Sequence, residues 1–211
     1  MYLTSRAEDA NVTLLPPPPY VLPPSGEFDG NDGRWSSFRI NVGDREAKGR
    51  GQNFRVLVST SSSVLQVPAQ ASWCDDDECA RDRGIEVYQS RQQRGLVMEA
   101  STDWVQNGIY NFPTPYWWDG RNLNATYGWS SVGLGFSSPE SPILLQQTVV
   151  ANIMPEFFMG WFGLSINPIH TGGDPMHTIL YNLAGFNQTP SKSYGYTAGA
   201  SYSTYEFSPD R

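Results

Sequence analysis

Apolar and polar residues alternate in short stretches along most of this chain. Phe38, Ile40 and Val42 are interleaved with Ser37, Arg39 and Asn41, and Phe54, Val56 and Val58 with Arg55 and Leu57. A period of two is that of a strand with one face on a core. Residues 43–51 between these runs are polar and glycine-bearing, and they read as a hairpin loop. A third run, Val64-Leu65-Gln66-Val67, halts at Pro68, and further apolar runs at 109–112, 132–136 and 143–150 are parted by Gly, Pro, Ser and Asn. A helical period occurs once, in Met176, Ile179, Leu180 and Leu183. Asp174 suits the N-cap of that helix, Pro175 its first position and Gly185 its end. The pattern therefore predicts an all-β fold with one short helix.

Composition narrows the reading. Hydrophobic residues are 39 % and charged residues 17 % of 211, too apolar for a wholly disordered chain. Twenty Gly and 16 Pro argue against a helical bundle. Residues 1–27 hold the run Pro16-Pro17-Pro18-Pro19 and are expected to be a proline-rich, disordered tail, leaving 28–211 to fold. A net charge of −7 opposes binding to a phosphate backbone, so nucleic acid is not an expected partner. The most apolar stretch, 149–166, is broken by Asn152, Pro155 and Glu156, so no membrane span is expected. The first residues carry no apolar leader core. Three sequons, at Asn11, Asn124 and Asn187, nevertheless point to the secretory route, with a leader trimmed or lying upstream. Cys74 and Cys79 are the only cysteines and can close a small disulfide loop. Alone they are too few to hold a metal, and no metal or cofactor is expected.

The order of several segments resembles the amino-terminal lobe of pepsin-like aspartic proteases. After the strand ending at Val58, Ser59-Thr60-Ser61-Ser62-Ser63 stands where that family has Asp-Thr-Gly-Ser, followed by Val64 to Pro68 in place of its Leu-Trp-Val-Pro strand. Cys74 and Cys79 then match the small disulfide loop that follows. Ser101-Thr102-Asp103-Trp104 is similar to the Ser-Ser-Thr-Tyr ahead of the flap hairpin. Gly128-Trp129-Ser130-Ser131-Val132 is similar to Gly-x-Asp-x-Val, and Gly160-Trp161-Phe162-Gly163-Leu164 to Gly-Ile-Leu-Gly-Leu. The opening at 28–38 and Ser193-Tyr194-Gly195-Tyr196-Thr197-Ala198-Gly199-Ala200 resemble a secreted fungal subgroup whose Asp-Thr-Gly is often replaced by Ser-Thr. The resemblance covers about residues 35–200. It implies an all-β lobe, an extracellular or secretory location and an ancestry among acid endopeptidases.

The same resemblance implies that the chemistry is lost. Aspartic proteases need two carboxylates sharing one proton. Ser59 replaces the first Asp, Ser61 replaces the Gly, and no second motif occurs before Arg211, so the second lobe has no counterpart. Ser130 stands at the Asp of Gly-x-Asp-x-Val. A serine nucleophile at Ser59 would need a base, and His170 and His177 are the only histidines. Asp75-Asp76-Asp77-Glu78 lacks the alternate spacing of a calcium loop and reads as a solvated tip. Tyr116-Trp117-Trp118 falls at the expected flap and is the candidate ligand-binding surface. The expected protein is thus a degenerate protease-like lobe that keeps peptide or protein binding in its cleft. The alternatives are an aspartic endopeptidase active only in a longer or paired form, and a secreted carbohydrate-binding β domain. A lone lobe leaves apolar surface and a strand edge uncovered, so self-association or pairing with a second lobe is expected.

Overall fold

The computed structural model describes residues 16–30, 33–44, 46, 51–88, 91–98, 103–111, 124–136, 141–155, 158–168 and 176–197. Ten strands run β1 Pro24–Asp29, β2 Trp35–Val42, β3 Gln52–Ser59, β4 Leu65–Pro68, β5 Val87–Tyr88, β6 Arg91–Gln92, β7 Val105–Asn111, β8 Asn124–Leu134, β9 Ile143–Asn152 and β10 Gly160–Gly163. Helix α1 spans Asp77–Asp82 and helix α2 spans Ile179–Gly185. The main sheet has the order β1-β2-β3-β10-β4-β9-β8-β7, and β2 also pairs with β8. That extra pairing closes β2, β3, β10, β4, β9 and β8 into a six-stranded barrel. Closure gives each of those six strands a partner on both sides, while β1 and β7 stand at the two ends of the sheet order.

The alternation read from β2 and β3 is the one that fills the barrel. Ile40, Val42, Phe54 and Val56 are fully buried beside Leu65, Val67, Val132, Leu144 and Val149. The hairpin is as expected, with Val42 opposite Gln52. The polar positions of β2 behave differently from those of a half-solvated strand. Ser37 and Asn41 are buried as well, because each finds a partner. The Ser37 hydroxyl donates to Asp29 and shares a 2.7 Å bond with Ser25, while Asn41 Nδ2 donates to Asn53 Oδ1 at 2.8 Å.

The folded part begins earlier than composition suggests. Residues 24–27, assigned above to the tail, open strand β1, which pairs antiparallel with β2. Tyr20 donates from its hydroxyl to Leu134 O at 3.1 Å, and Tyr20 and Leu22 pack on the core. Pro68, expected to stop β4, is its last residue.

Among the described residues there are two helices, where the pattern predicted one. The acidic run at 75–78 forms the start of α1, where Asp76 Oδ1 accepts from Cys79 N at 2.7 Å and Asp77 and Glu78 lie in the first turn. Carboxylates there satisfy free N–H groups and oppose the positive end of the helix. Helix α2 is shorter than its periodicity implied. Its N-cap is Thr178, whose Oγ1 accepts from Tyr181 N at 3.3 Å. Met176 lies before the helix, buried in a separate small cluster with Val64, Ala125 and Val150. Asp174 and Pro175 lie outside the described residues. Gly185 is the last helical residue, and the left-handed residue beyond it is Asn187, at φ 55°.

Candidate functional site

The serine turn follows β3. Strand β10 lies between the two arms of that turn, parallel to β3 and antiparallel to β4. Trp161 and Phe162 pair with Leu57 and Val58 on one side and with Gln66 and Leu65 on the other. The space is narrow. A Cβ added at Gly163 would stand 2.6 Å from Val64 O and 2.7 Å from Ser62 O, and one at Gly160 would stand 2.6 Å from Gln66 O. Glycine at both ends of Gly160–Gly163 is therefore a steric requirement of this insertion. Backbone bonds complete it: Gly163 N donates to Val64 O (3.1 Å), Leu164 N to Ser59 O (2.9 Å) and Ser165 N to Ser62 O (3.0 Å).

Within the turn the hydroxyls serve the backbone. Ser59 Oγ accepts from Ser62 N at 3.2 Å and lies 3.4 Å from Ser61 Oγ. Ser62 Oγ accepts from Val64 N at 3.1 Å. Thr60 and Ser61 are exposed and Ser59 is half-buried. Among the described residues, no carboxylate or imidazole is hydrogen-bonded to Ser59 or Ser61. His177 is exposed and stacks on Tyr181, with ring centroids 3.9 Å apart, while His170 lies outside the described residues.

A second polar centre forms where β8 changes partner. Residues 124–129 of β8 pair with β7, and residues 132–134 pair with β2. The ladder with β9 slips between Ser130 and Val132. Asp103 takes up the donors freed at the slip: Ser130 Oγ donates to Oδ1 at 2.8 Å and Ser131 N to Oδ2 at 3.0 Å. Ser131 O in turn accepts from Gly43 N at 2.9 Å. A β-bulge leaves backbone groups without ladder partners, and a carboxylate is a strong acceptor for them. Sequence reasoning placed Ser130 at a vacant carboxylate position and quoted Asp103 only as part of a motif. It gave no sign that the two meet.

An apolar groove of about 530 Å³ opens beside α2. Its walls include Tyr20, Leu22, Phe38, Val58, Leu164 and Leu183, and residues 189–196 form its rim. Tyr20 and Leu22 belong to the stretch first read as tail. Neither a protein-family model nor a curated protein sequence matches the chain.

Cys74 and Cys79 are joined by a disulfide. Asn124 opens β8 and Asn187 is exposed in the turn after α2. Tyr116, Trp117, Trp118 and Asn11 lie outside the described residues. Among the described residues, no three His, Cys, Asp or Glu side chains gather as a metal site requires, and no helix is long and apolar enough to cross a membrane.

Proposed function

We propose that this protein is a catalytically degenerate relative of the pepsin-like proteases, built as their amino-terminal lobe, which binds peptide in its cleft without cutting it. The observation that carries the reading is the hydrogen bonding of the serine turn. The Ser59 hydroxyl bonds to Ser61 Oγ and accepts from Ser62 N within the same turn, and the described residues bring neither a carboxylate nor a base to Ser59 or Ser61. Aspartic chemistry requires a carboxylate pair, and a serine nucleophile requires a base.

Three further observations support the kinship. Gly160-Trp161-Phe162-Gly163 and the serine turn were matched to the family separately, about a hundred residues apart, and they are in contact through Gly163 and Leu164. Asp103 and Ser130 occupy positions where the family pattern has a hydroxyl and a carboxylate respectively. Here the two groups bond each other with the roles exchanged. The Cys74–Cys79 disulfide falls where the pattern has its small loop.

The test is cleavage of an acid-denatured protein at about pH 4, where a paired carboxylate site holds its shared proton. The parent chain and a Ser59→Asp, Ser61→Gly variant are compared, each with and without pepstatin. Neither form is expected to cleave, since the variant restores one carboxylate of two. Calorimetry with pepstatin reads out binding by the parent chain, and binding without cleavage is the expected result. Pepstatin-sensitive cleavage by the parent chain would overturn the proposal.

A further inference from the structure

We infer that Asn107 is a self-modification site, where the folded main chain converts the asparagine to aspartate and iso-aspartate through a succinimide. Asn107-Gly108 is the only Asn-Gly step in the chain. It falls in β7, at one end of the sheet order, where the ladder with β8 slips. Gln106 pairs with Gly128 and Gly108 with Tyr127, so Asn107 is the extra residue of a β-bulge and has no partner on β8. Its side chain is exposed and makes no hydrogen bond among the described residues. Gly108 carries no side chain to crowd its own nitrogen.

The other asparagines whose side chains are described each lack one of these conditions. Asn41 Nδ2 donates to Asn53 Oδ1 at 2.8 Å, Asn182 Nδ2 donates to Gln147 Oε1 at 2.9 Å, and Asn152 Oδ1 accepts from Met154 N at 2.8 Å. Val42, Phe54, Leu183 and Ile153 follow these four, each with a bulky side chain. After Asn187 the next nitrogen, Gln188 N, is engaged with Leu183 O at 2.9 Å. Asn167 precedes Pro168, whose nitrogen has no proton to give up. Asp29-Gly30 is the comparable aspartate step, and its carboxylate is held by two bonds of 2.9 Å from Arg55.

Gly108 N gives its proton to hydroxide or buffer base and bonds to Asn107 Cγ. The bond from Cγ to Nδ2 breaks, and ammonia leaves with that electron pair and a proton from solvent. Water then adds to one of the two carbonyl carbons of the ring. The bond from that carbon to the ring nitrogen breaks, and Gly108 N recovers a proton. Addition at Cγ leaves an ordinary chain with a carboxylate at position 107. Addition at the main-chain carbonyl routes the chain through the former side chain and lengthens β7 by one carbon. Either product adds a negative charge to an end strand, and the bulge leaves no ladder partner of Asn107 to be displaced.

The full chain is incubated folded in mildly alkaline buffer made with heavy-oxygen water, and in parallel in denaturant at the same pH. Peptide mapping reads the mass gain at each asparagine with time, and an isoaspartyl methyltransferase counts the iso-linked product. Asn107 is expected to convert in the folded chain within about tenfold of its unfolded rate, and to outpace Asn41, Asn53, Asn152 and Asn182 by more than about tenfold. Both aspartyl products are expected. Asn107→Gln, whose ring would have six members, is expected to lose the methyltransferase signal. A folded rate more than about tenfold below the unfolded one overturns the inference, because the strand would then be holding Gly108 N out of reach. Conversion without iso-linked product overturns it too, since direct hydrolysis of the amide gives aspartate alone. Equal conversion at the hydrogen-bonded asparagines would remove the selectivity on which it stands.

Discussion

Arg55 and Arg83 both pin the segment around α1 to the barrel, yet they are held by opposite means. Arg55, on β3, meets Asp29 through two bonds of 2.9 Å and lies 3.6 Å from Glu86, and it also donates to Arg81 O at 2.8 Å. Arg83 has no exposure at all, and among the described residues no carboxylate pairs with it. It donates to Phe158 O (3.3 Å), Ala69 O (3.1 Å) and Asn152 O (3.4 Å), and its guanidinium sits 4.7 Å above the Trp73 ring. Burial lowers the affinity of each for its proton. For Arg55 the Asp29 bonds and the charges of Asp29, Glu86 and Glu27 more than offset that, and its pKa is raised. For Arg83 burial prevails, and its pKa is pushed down to about 10. One cation is stabilised by countercharge, whereas the other is tolerated because carbonyl dipoles and an indole face replace water. The two arms of the serine turn depend on both: Arg55 is on β3, and Arg83 binds the residue that follows β4.

The largest effect is expected where solvation by dipoles is removed. Arg83→Ala leaves a cavity and takes the guanidinium donors from Phe158 O, Ala69 O and Asn152 O, of which Asn152 O keeps its bond from Ala69 N, and it should lower unfolding free energy by about 3–5 kcal/mol. Arg83→Met fills the space and removes the buried charge, so it should cost at most about half as much. Denaturant melts of both variants check this, and equal losses would mean that the charge, not the volume, is what the site needs. Asp29→Asn takes the countercharge from Arg55 while Glu86 remains. It should cost about 2–4 kcal/mol, read by the same melts, and it should loosen β1, read as faster hydrogen exchange at residues 24–29.

The smallest effect is the dependence on pH. Arg83 loses its proton in the folded state near pH 10, while the unfolded chain holds it to the ordinary arginine value. Between those two values the unfolded chain binds more protons, so this group's contribution to stability rises with pH. The parent chain should therefore gain on Arg83→Met between about pH 8 and 10.5, measured as the difference in their unfolding free energies. Arg55 acts in the opposite sense. Its raised pKa gives stability that is complete below the ordinary arginine value and is lost only above the folded value, so it should contribute no slope in this range. A flat difference between parent and Arg83→Met would show that the carbonyls hold the Arg83 proton as firmly as carboxylates do.

What was legible in the chain was local. Alternation at 38–42 and 54–58 marked the strands that fill the barrel, and the spacing of Cys74 and Cys79 marked their disulfide. Strand β1 was hidden because its exposed positions, Pro24, Gly26, Glu27 and Phe28, show no apolar period and its buried ones, Ser25 and Asp29, are polar. Its place comes from Ser25, Asp29 and the groups they meet on β2 and β3. Helix α1 was hidden because its acidic start looks like a solvated loop until Asp76 is seen to cap it. The site was half legible. The run of serines was visible in the sequence, but the strand that lies between the arms of their turn comes from a hundred residues away.

The sequence by itself determined the strand-rich class, the inward faces of β2 and β3, and the absence of a carboxylate at position 59, since each follows from residue type and short-range period. Only the tertiary structure decided that β10 would part the arms of the serine turn, that β2 would close on β8, and that Asp103 would serve Ser130 and Ser131. Strand pairing is chosen by the joint burial of many side chains and by the need to satisfy every backbone donor left inside, and no single segment of the chain contains that information.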